Sequence, residues 1–294
     1  GQVWYNSTTK VVKGAINGVG AWASGGALNV AKTAGATAGT QTAGLYFGGG
    51  APGGNTAQTE KYNGTSWTEV NDLNTVRTNL AGAGTQTSAL AFGGGPPVKN
   101  ETEKFDGTSW TEVNNLNTAR QVLAGTGTQT AALAFGGEIT ANSASAESFN
   151  GTSWTEIAAL NSARYALGGA GTTTSALAFG GDNPRTAITE SWNGSAWSEV
   201  ADLNTARYAL AGFGSSNTSA LAVGGFNPPF ANETESWDGT SWTEIANLAT
   251  ARQQLRGSGS TAAAFVAGGI TPSKTTATEE WTVSSFTTKT FDTD

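Results

Sequence analysis

Residues 116–154 read LNTARQVLAGTGTQTAALAFGGEITANSASAESFNGTSW, from Leu116 to Trp154. The stretch is one copy of a unit that recurs along the chain. Its glycine pair, Gly136-Gly137, has counterparts at Gly48-Gly49, Gly93-Gly94, Gly180-Gly181, Gly224-Gly225 and Gly268-Gly269, spaced 43 to 45 residues apart. A tryptophan series keeps the same step: Trp22, Trp67, Trp110, Trp154, Trp197 and Trp242. So does a cationic series: Lys32, Arg77, Arg120, Arg164, Arg207 and Arg252. Three markers in phase over six copies define a true repeat. A period of this length built from short strands reads as a β-propeller.

The unit resolves into four strand-like pieces, seen most simply between Arg77 and Leu116. Thr78 to Thr85, TNLAGAGT, is small and Gly/Ala-rich, as an innermost strand must be where neighbouring blades crowd. Ser88 to Phe92, SALAF, is a short apolar run closed by Gly-Gly, the pattern of a strand buried on both faces. The glycines allow a sharp turn and close packing. After a variable loop comes Thr102 to Phe105, then Asp106-Gly107. Asp-Gly or Asn-Gly between strands predicts a type I′ hairpin turn. The outer piece, Ser109 to Val113, alternates bulky and polar residues as a half-buried edge does. Asn114 to Arg120 then crosses to the next blade.

The predicted architecture is therefore all-β, with six blades of four antiparallel strands over residues 21–294. Residues 1–20 stand outside the repeat. There, Trp4 to Asn6 and Lys10 to Val12 predict a hairpin. Because AWASGGALNVA begins in mid-unit, Trp22 to Gly25 is expected to supply the outer strand of the last blade and close the ring, leaving no exposed edge. Two alternatives stay open. Phe286 to Phe291 supplies that strand instead, or residues 1–20 build a seventh blade lacking its own Gly-Gly. In the last unit Trp281 takes the aromatic place of Phe105.

Composition narrows the function. Charged residues are 13% of the 294, and net charge is −7 with no basic stripe, which argues against nucleic-acid binding. Ten Trp and twelve Phe at fixed phase argue for a packed core rather than disorder. No apolar run approaches a membrane span, so no membrane insertion is expected. No signal peptide is visible and residue 1 is Gly, so a fragment or processed product is expected. Cys, His and Met are absent. That excludes thiol nucleophiles, His bases, Ser-His-Asp triads and Cys/His zinc sites. No metal or cofactor is expected.

The unit resembles the kelch repeat: an apolar run, Gly-Gly, a variable stretch, an aromatic, a short gap, Trp, then a Leu-containing loop ending in Arg. Here these are ALAF, Gly136-Gly137, Phe149, Trp154, Leu160 and Arg164. The resemblance covers roughly residues 21–294 and implies a propeller of four-stranded blades. The near-identical GTSWTEV, LNTAR and AGTQT segments, with GQVWYNSTTK before them, are also similar to kelch-type domains on bacteriophage tail or fibre proteins. This second resemblance implies a virion-surface or extracellular setting, with other fibre subunits as partners and a homotrimer as one arrangement. Copper oxidases of the kelch-like group need His and a Cys-modified Tyr, both absent. Asp-Gly-Thr-Ser-Trp resembles the sialidase Asp-box imperfectly, and that motif is structural.

Two series of glutamates repeat: Glu60, Glu103, Glu147, Glu190, Glu235 and Glu279 before the third-strand aromatic, and Glu69, Glu112, Glu156, Glu199 and Glu244 after the outer Trp. Paired carboxylates serve glycoside hydrolysis. A group needed identically in every blade is architecture, however, whereas an active site occurs once. The glutamates and arginines are thus expected to form ion pairs and loop hydrogen bonds. Trp67, Trp110, Trp154, Trp197 and Trp242 are expected to pack between blades rather than to stack on ligands.

Recognition is expected where the copies differ. The loop after Gly-Gly varies, and so does the residue after Arg/Lys: Thr33, Thr78, Gln121, Tyr165, Tyr208 and Gln253. Both sets should fall on one face of the disc, the uniform turns on the other. Tyr165, Tyr208, Gln121 and Gln253 are expected to ring the central mouth, with Asn183, Arg185, Phe226, Asn227 and Phe230 on loops around it. Loops on a rigid scaffold are where recognition concentrates, and aromatic faces beside amide and guanidinium donors suit a polar glycan. The expected function is a non-enzymatic binding domain for a host-surface glycan or protein. A structural propeller without a ligand and a carboxylate-dependent glycan hydrolase are the alternatives.

Overall fold

The structure, a computed structural model, describes residues 20–182 and 184–284 in full and the backbone of residues 3–6, 11–16 and 287–291. Every helix or strand among the described residues is a strand. Six sheets of four antiparallel strands form the blades. In the blade that follows Arg77 the strands are Ala81–Thr85, Ser88–Phe92, Thr102–Phe105 and Trp110–Val113, so the inner strand starts three residues later than expected. The inner strands lie side by side in a closed circle, with Arg256–Gly259 of the last blade against Ala36–Thr40 of the first.

Closure follows the expected route. Gly20–Ser24 pairs with Thr278–Val283 as the outer strand of the last blade, placing Trp22 opposite Trp281. The C-terminal alternative does not form: Thr287–Phe291 pairs with Val11–Ile16, while Phe286 lies outside the described residues. Val11–Ile16 in turn pairs with Val3–Asn6, so the N-terminal hairpin exists with a longer second strand than expected. These strands make a three-stranded sheet, and no seventh blade occurs among the described residues.

The core lies between blades. Phe92 meets Trp154 of the following blade at 4.9 Å, and Phe135 meets Trp197 at 5.1 Å. Such contacts contribute roughly 0.5–1.5 kcal/mol each beyond burial. The tryptophans also reach across with their N–H groups. Trp110 Nε1 donates to Thr59 Oγ1 at 3.1 Å, and Trp154 Nε1 to Thr102 Oγ1 at 3.0 Å. Trp22, the strand contributed by the N-terminus, does the same to Thr234 at 3.0 Å.

Gly136 and Gly137 show why the pair recurs. Their φ angles are +65° and +103°. A Cβ on Gly136 would lie 2.8 Å from the Arg164 carbonyl oxygen of the next blade, and Gly137 N–H donates to that same oxygen at 2.9 Å. The pair thus serves both the turn and the seam between blades.

The Asp-Gly turns differ from the type I′ expectation. Phe105 pairs with Trp110, so the loop has four residues, and only Gly107 among the central pair has positive φ. The Asp106 carboxylate explains this. Its Oδ1 accepts the N–H groups of Thr108 and Ser109, both at 2.8 Å, stabilising a wider turn from outside.

Candidate functional site

The repeated charges are consumed inside the blades. Arg77 pairs with Glu103 at 3.0 Å, Arg120 with Glu147 at 3.1 Å, Arg164 with Glu190 at 2.6 Å and Arg252 with Glu279 at 3.1 Å. Lys32 with Glu60, and Arg207 with Glu235, complete the set. All twelve side chains are at most 6% exposed. Burial pushes the Arg120 guanidinium below its ordinary value, and Glu147 pulls it back up. The other carboxylate oxygen holds the incoming loop: Glu147 Oε2 accepts the backbone and side-chain N–H groups of Asn117 at 2.8 and 2.9 Å. The second series, Glu69 to Glu244, is exposed on the outer strands and takes no part in these pairs. Among the described residues no three acidic side chains gather as a metal site would require.

Both variable sets do fall on one face. The residue after each Lys/Arg forms an isolated antiparallel bridge with the residue after Gly-Gly: Thr33 with Gly50, Thr78 with Gly95, Gln121 with Glu138, Tyr165 with Asp182, Tyr208 with Phe226 and Gln253 with Ile270. The bridges bring each variable loop up against its own crossing segment.

One step further in lies a feature that sequence reasoning missed. Ala34, Asn79, Val122, Ala166, Ala209 and Gln254 all have φ between +52° and +56°. Each donates its N–H to the carbonyl of its counterpart in the preceding blade, at 2.7 to 3.0 Å, and Ala34 donates to Gln254 to close the circuit. Six backbone hydrogen bonds thus form a closed ring around the axis. No glycine marks these positions, so local sequence carried no sign of them. Val122 is the least suited, since β-branched residues rarely occupy left-handed backbone.

The ring surrounds the mouth of a central cavity of about 220 Å³. Tyr165 and Tyr208 line it. Gln121 and Gln253 hold the equivalent bridge positions, but their side chains are not among the cavity's lining residues. Tyr165 donates its hydroxyl to Asp182 Oδ2 at 3.0 Å, and burial followed by that carboxylate pushes the phenol up to about 12. Tyr208 packs at a tilt on Phe226, 5.4 Å between ring centres, and Phe226 meets Phe230 edge-on at 5.8 Å. Asn227 is half-buried beside them, and Arg185 is exposed on its own loop. Asn183 lies outside the described residues.

The lining also contains residues that were not anticipated: Asn79, Gln254 and Arg256. Arg256 was visible as a break in the repeat, because the inner strand opens with Ala36, Ala81, Ala124, Gly168 and Ala211 elsewhere.

The chain is a six-bladed β-propeller. No protein-family model matches it, and no curated protein does. Its function must therefore be read from the site.

Proposed function

We propose that this propeller is a non-enzymatic recognition domain whose variable-loop face binds a host-surface glycan or protein. The observation that carries this reading is segregation. Polar groups that repeat in every blade are engaged in internal ion pairs and loop bonds. Groups that differ between blades gather on one face around the mouth of a cavity. Tyr208, Phe226 and Phe230 form an aromatic run beside that mouth, an arrangement suited to the apolar face of a sugar or to a protein side chain.

The resemblance of the units to kelch repeats on phage fibres supports a setting on a virion surface or another extracellular adhesin, with other fibre subunits as neighbours. A homotrimer is the assembly proposed for that setting. Sedimentation of the intact chain tests it, and a monomer at all concentrations refutes it. The non-enzymatic reading is favoured because each third-strand glutamate is already bound by an arginine or lysine. A glycan hydrolase would instead release sugar from host polysaccharide.

The deciding experiment is a glycan array together with host-cell binding, using the intact chain and the Tyr208→Ala and Phe230→Ala variants. Binding that weakens in both variants is expected. Absence of binding to every glycan and surface supports the structural reading and overturns this one.

A further inference from the structure

The inner strands open with a small residue in every blade but one. Those residues face the next blade at close range: a Cβ built on Gly82 would lie 3.1 Å from the Ala36 Cβ, and one on Gly125 would lie 3.1 Å from the Ala81 Cβ. Arg256 occupies the same register position in the last blade. It fits because the facing segment has Gly35 where the other blades have Leu80, Leu123, Leu167, Leu210 and Leu255.

Placed there, the guanidinium meets no carboxylate. The six fully buried cations of the blades each pair with a glutamate, whereas Arg256, half-buried at the cavity, enters no ion pair among the described residues. Its Nε donates to the Gly35 carbonyl at 2.7 Å and its Nη1 to the Leu255 carbonyl at 3.0 Å. Its Nη2 has no protein acceptor among the described residues. Burial pushes the group below its ordinary value, and the only group holding it up is the Tyr46 phenol. No Asp or Glu lines the cavity.

Further unused donors share that lining. Gln254 spends its Oε1 on the Thr33 hydroxyl at 2.8 Å, which leaves its amide N–H groups. The side chain of Asn79 and the hydroxyl of Tyr208 make no hydrogen bond among the described residues. A half-buried cation without a counter-charge gives up part of its hydration with no ion pair to offset it. A carboxylate is the group that a planar guanidinium fork engages best.

We propose that the mouth of the central cavity is a carboxylate-binding subsite, with Arg256 as its counter-ion, of a size to take one acidic monosaccharide. The carboxylate part stands on the geometry of Arg256. The sugar part rests on the recognition reading above.

The test is calorimetric titration of the intact chain with glucuronate, with glucose as its neutral match, and with a glucuronate-terminated oligosaccharide. Arg256→Ala restores the residue found in four other blades, so the fold tolerates it. Glucuronate should bind at one site, glucose should not, and Arg256→Ala should weaken glucuronate by about ten- to a hundredfold. Arg256→Lys should retain part of the affinity. Tighter binding of the oligosaccharide than of free glucuronate would identify the source as a glycan end, and the reverse a free acid. The proposal is overturned if glucuronate does not bind at millimolar concentration, if it binds no better than glucose, or if Arg256→Ala binds it unchanged. Array binding without acid dependence would sink this subsite and leave the recognition reading standing. Glucuronate binding without any host-surface binding would do the opposite.

Discussion

Replacing Ala146 by Thr should make this protein more stable, and the reason lies in one irregular blade seam. Five outer-strand tryptophans donate Nε1 to a threonine in the preceding blade: Trp22 to Thr234, Trp67 to Thr278, Trp110 to Thr59, Trp154 to Thr102 and Trp242 to Thr189, all at 3.0 to 3.1 Å. The sixth, Trp197, faces the position where the repeat has Ala146, and its Nε1 is buried without an acceptor. A hydroxyl there restores a hydrogen bond worth about 0.5–1.5 kcal/mol net. The added methyl contributes up to ~0.8 kcal/mol by burial, and freezing the side chain takes some of this back. The expected gain is about 1–2 kcal/mol, or roughly 2–6 °C in Tm for a chain of this class. Equilibrium urea unfolding and a thermal scan measure it. Ala146→Val is the control, having the shape of Thr without the hydroxyl. Thr102→Ala should create the same orphan at Trp154 and destabilise by about 1–3 kcal/mol. If Ala146→Thr is no more stable than Ala146→Val, the tryptophan–threonine bond is not a stabilising element of the seam.

Arg120→Met should destabilise by about 3–5 kcal/mol by stranding the Glu147 carboxylate in the blade, and Arg120→Met with Glu147→Gln should recover part of that loss in the same urea experiment. Trp22→Ala removes the aromatic that seals the last blade against Trp281; a loss of about 3–5 kcal/mol is expected, and an unchanged urea midpoint would argue that the ring does not close through this strand. The phenols of Tyr46, Tyr62 and Tyr165 are pushed up to about 12, chiefly by burial. Because the folded values lie above the unfolded value near 10, their contribution is complete below about pH 10 and is lost as pH rises through about 12. Absorbance at alkaline pH should show Tyr46, Tyr62 and Tyr165 resisting ionisation until the chain unfolds.

Much of the site's negative logic was legible in the chain. Glu147 and Arg120 recur in step, and recurrence alone marked them as architecture before their 3.1 Å contact was seen. The one-face segregation of variable positions also followed from strand order, and the Tyr165–Asp182 and Tyr208–Phe226 bridges bear it out. The hydrogen-bonded ring through Ala34 and Val122 was not legible, because ordinary residues adopt a left-handed conformation there. Only contact with the neighbouring blade holds them in it. The Asp106 turn was misread because Asp-Gly marks several turn types, and the carboxylate's choice of Thr108 and Ser109 as donors depends on the full loop geometry.

By itself the sequence determined the period, the blade composition and the residues common to all blades, because each unit must present the same faces to its neighbours. Three things were decided only in the folded ring. One is which terminus completes the last blade, since both ends offer a strand and the choice depends on what each can pair with. Another is the backbone circuit, which exists only when all six blades are present. The third is the isolation of Arg256, which became a charge without a partner only once Gly35, distant in sequence, was brought against it.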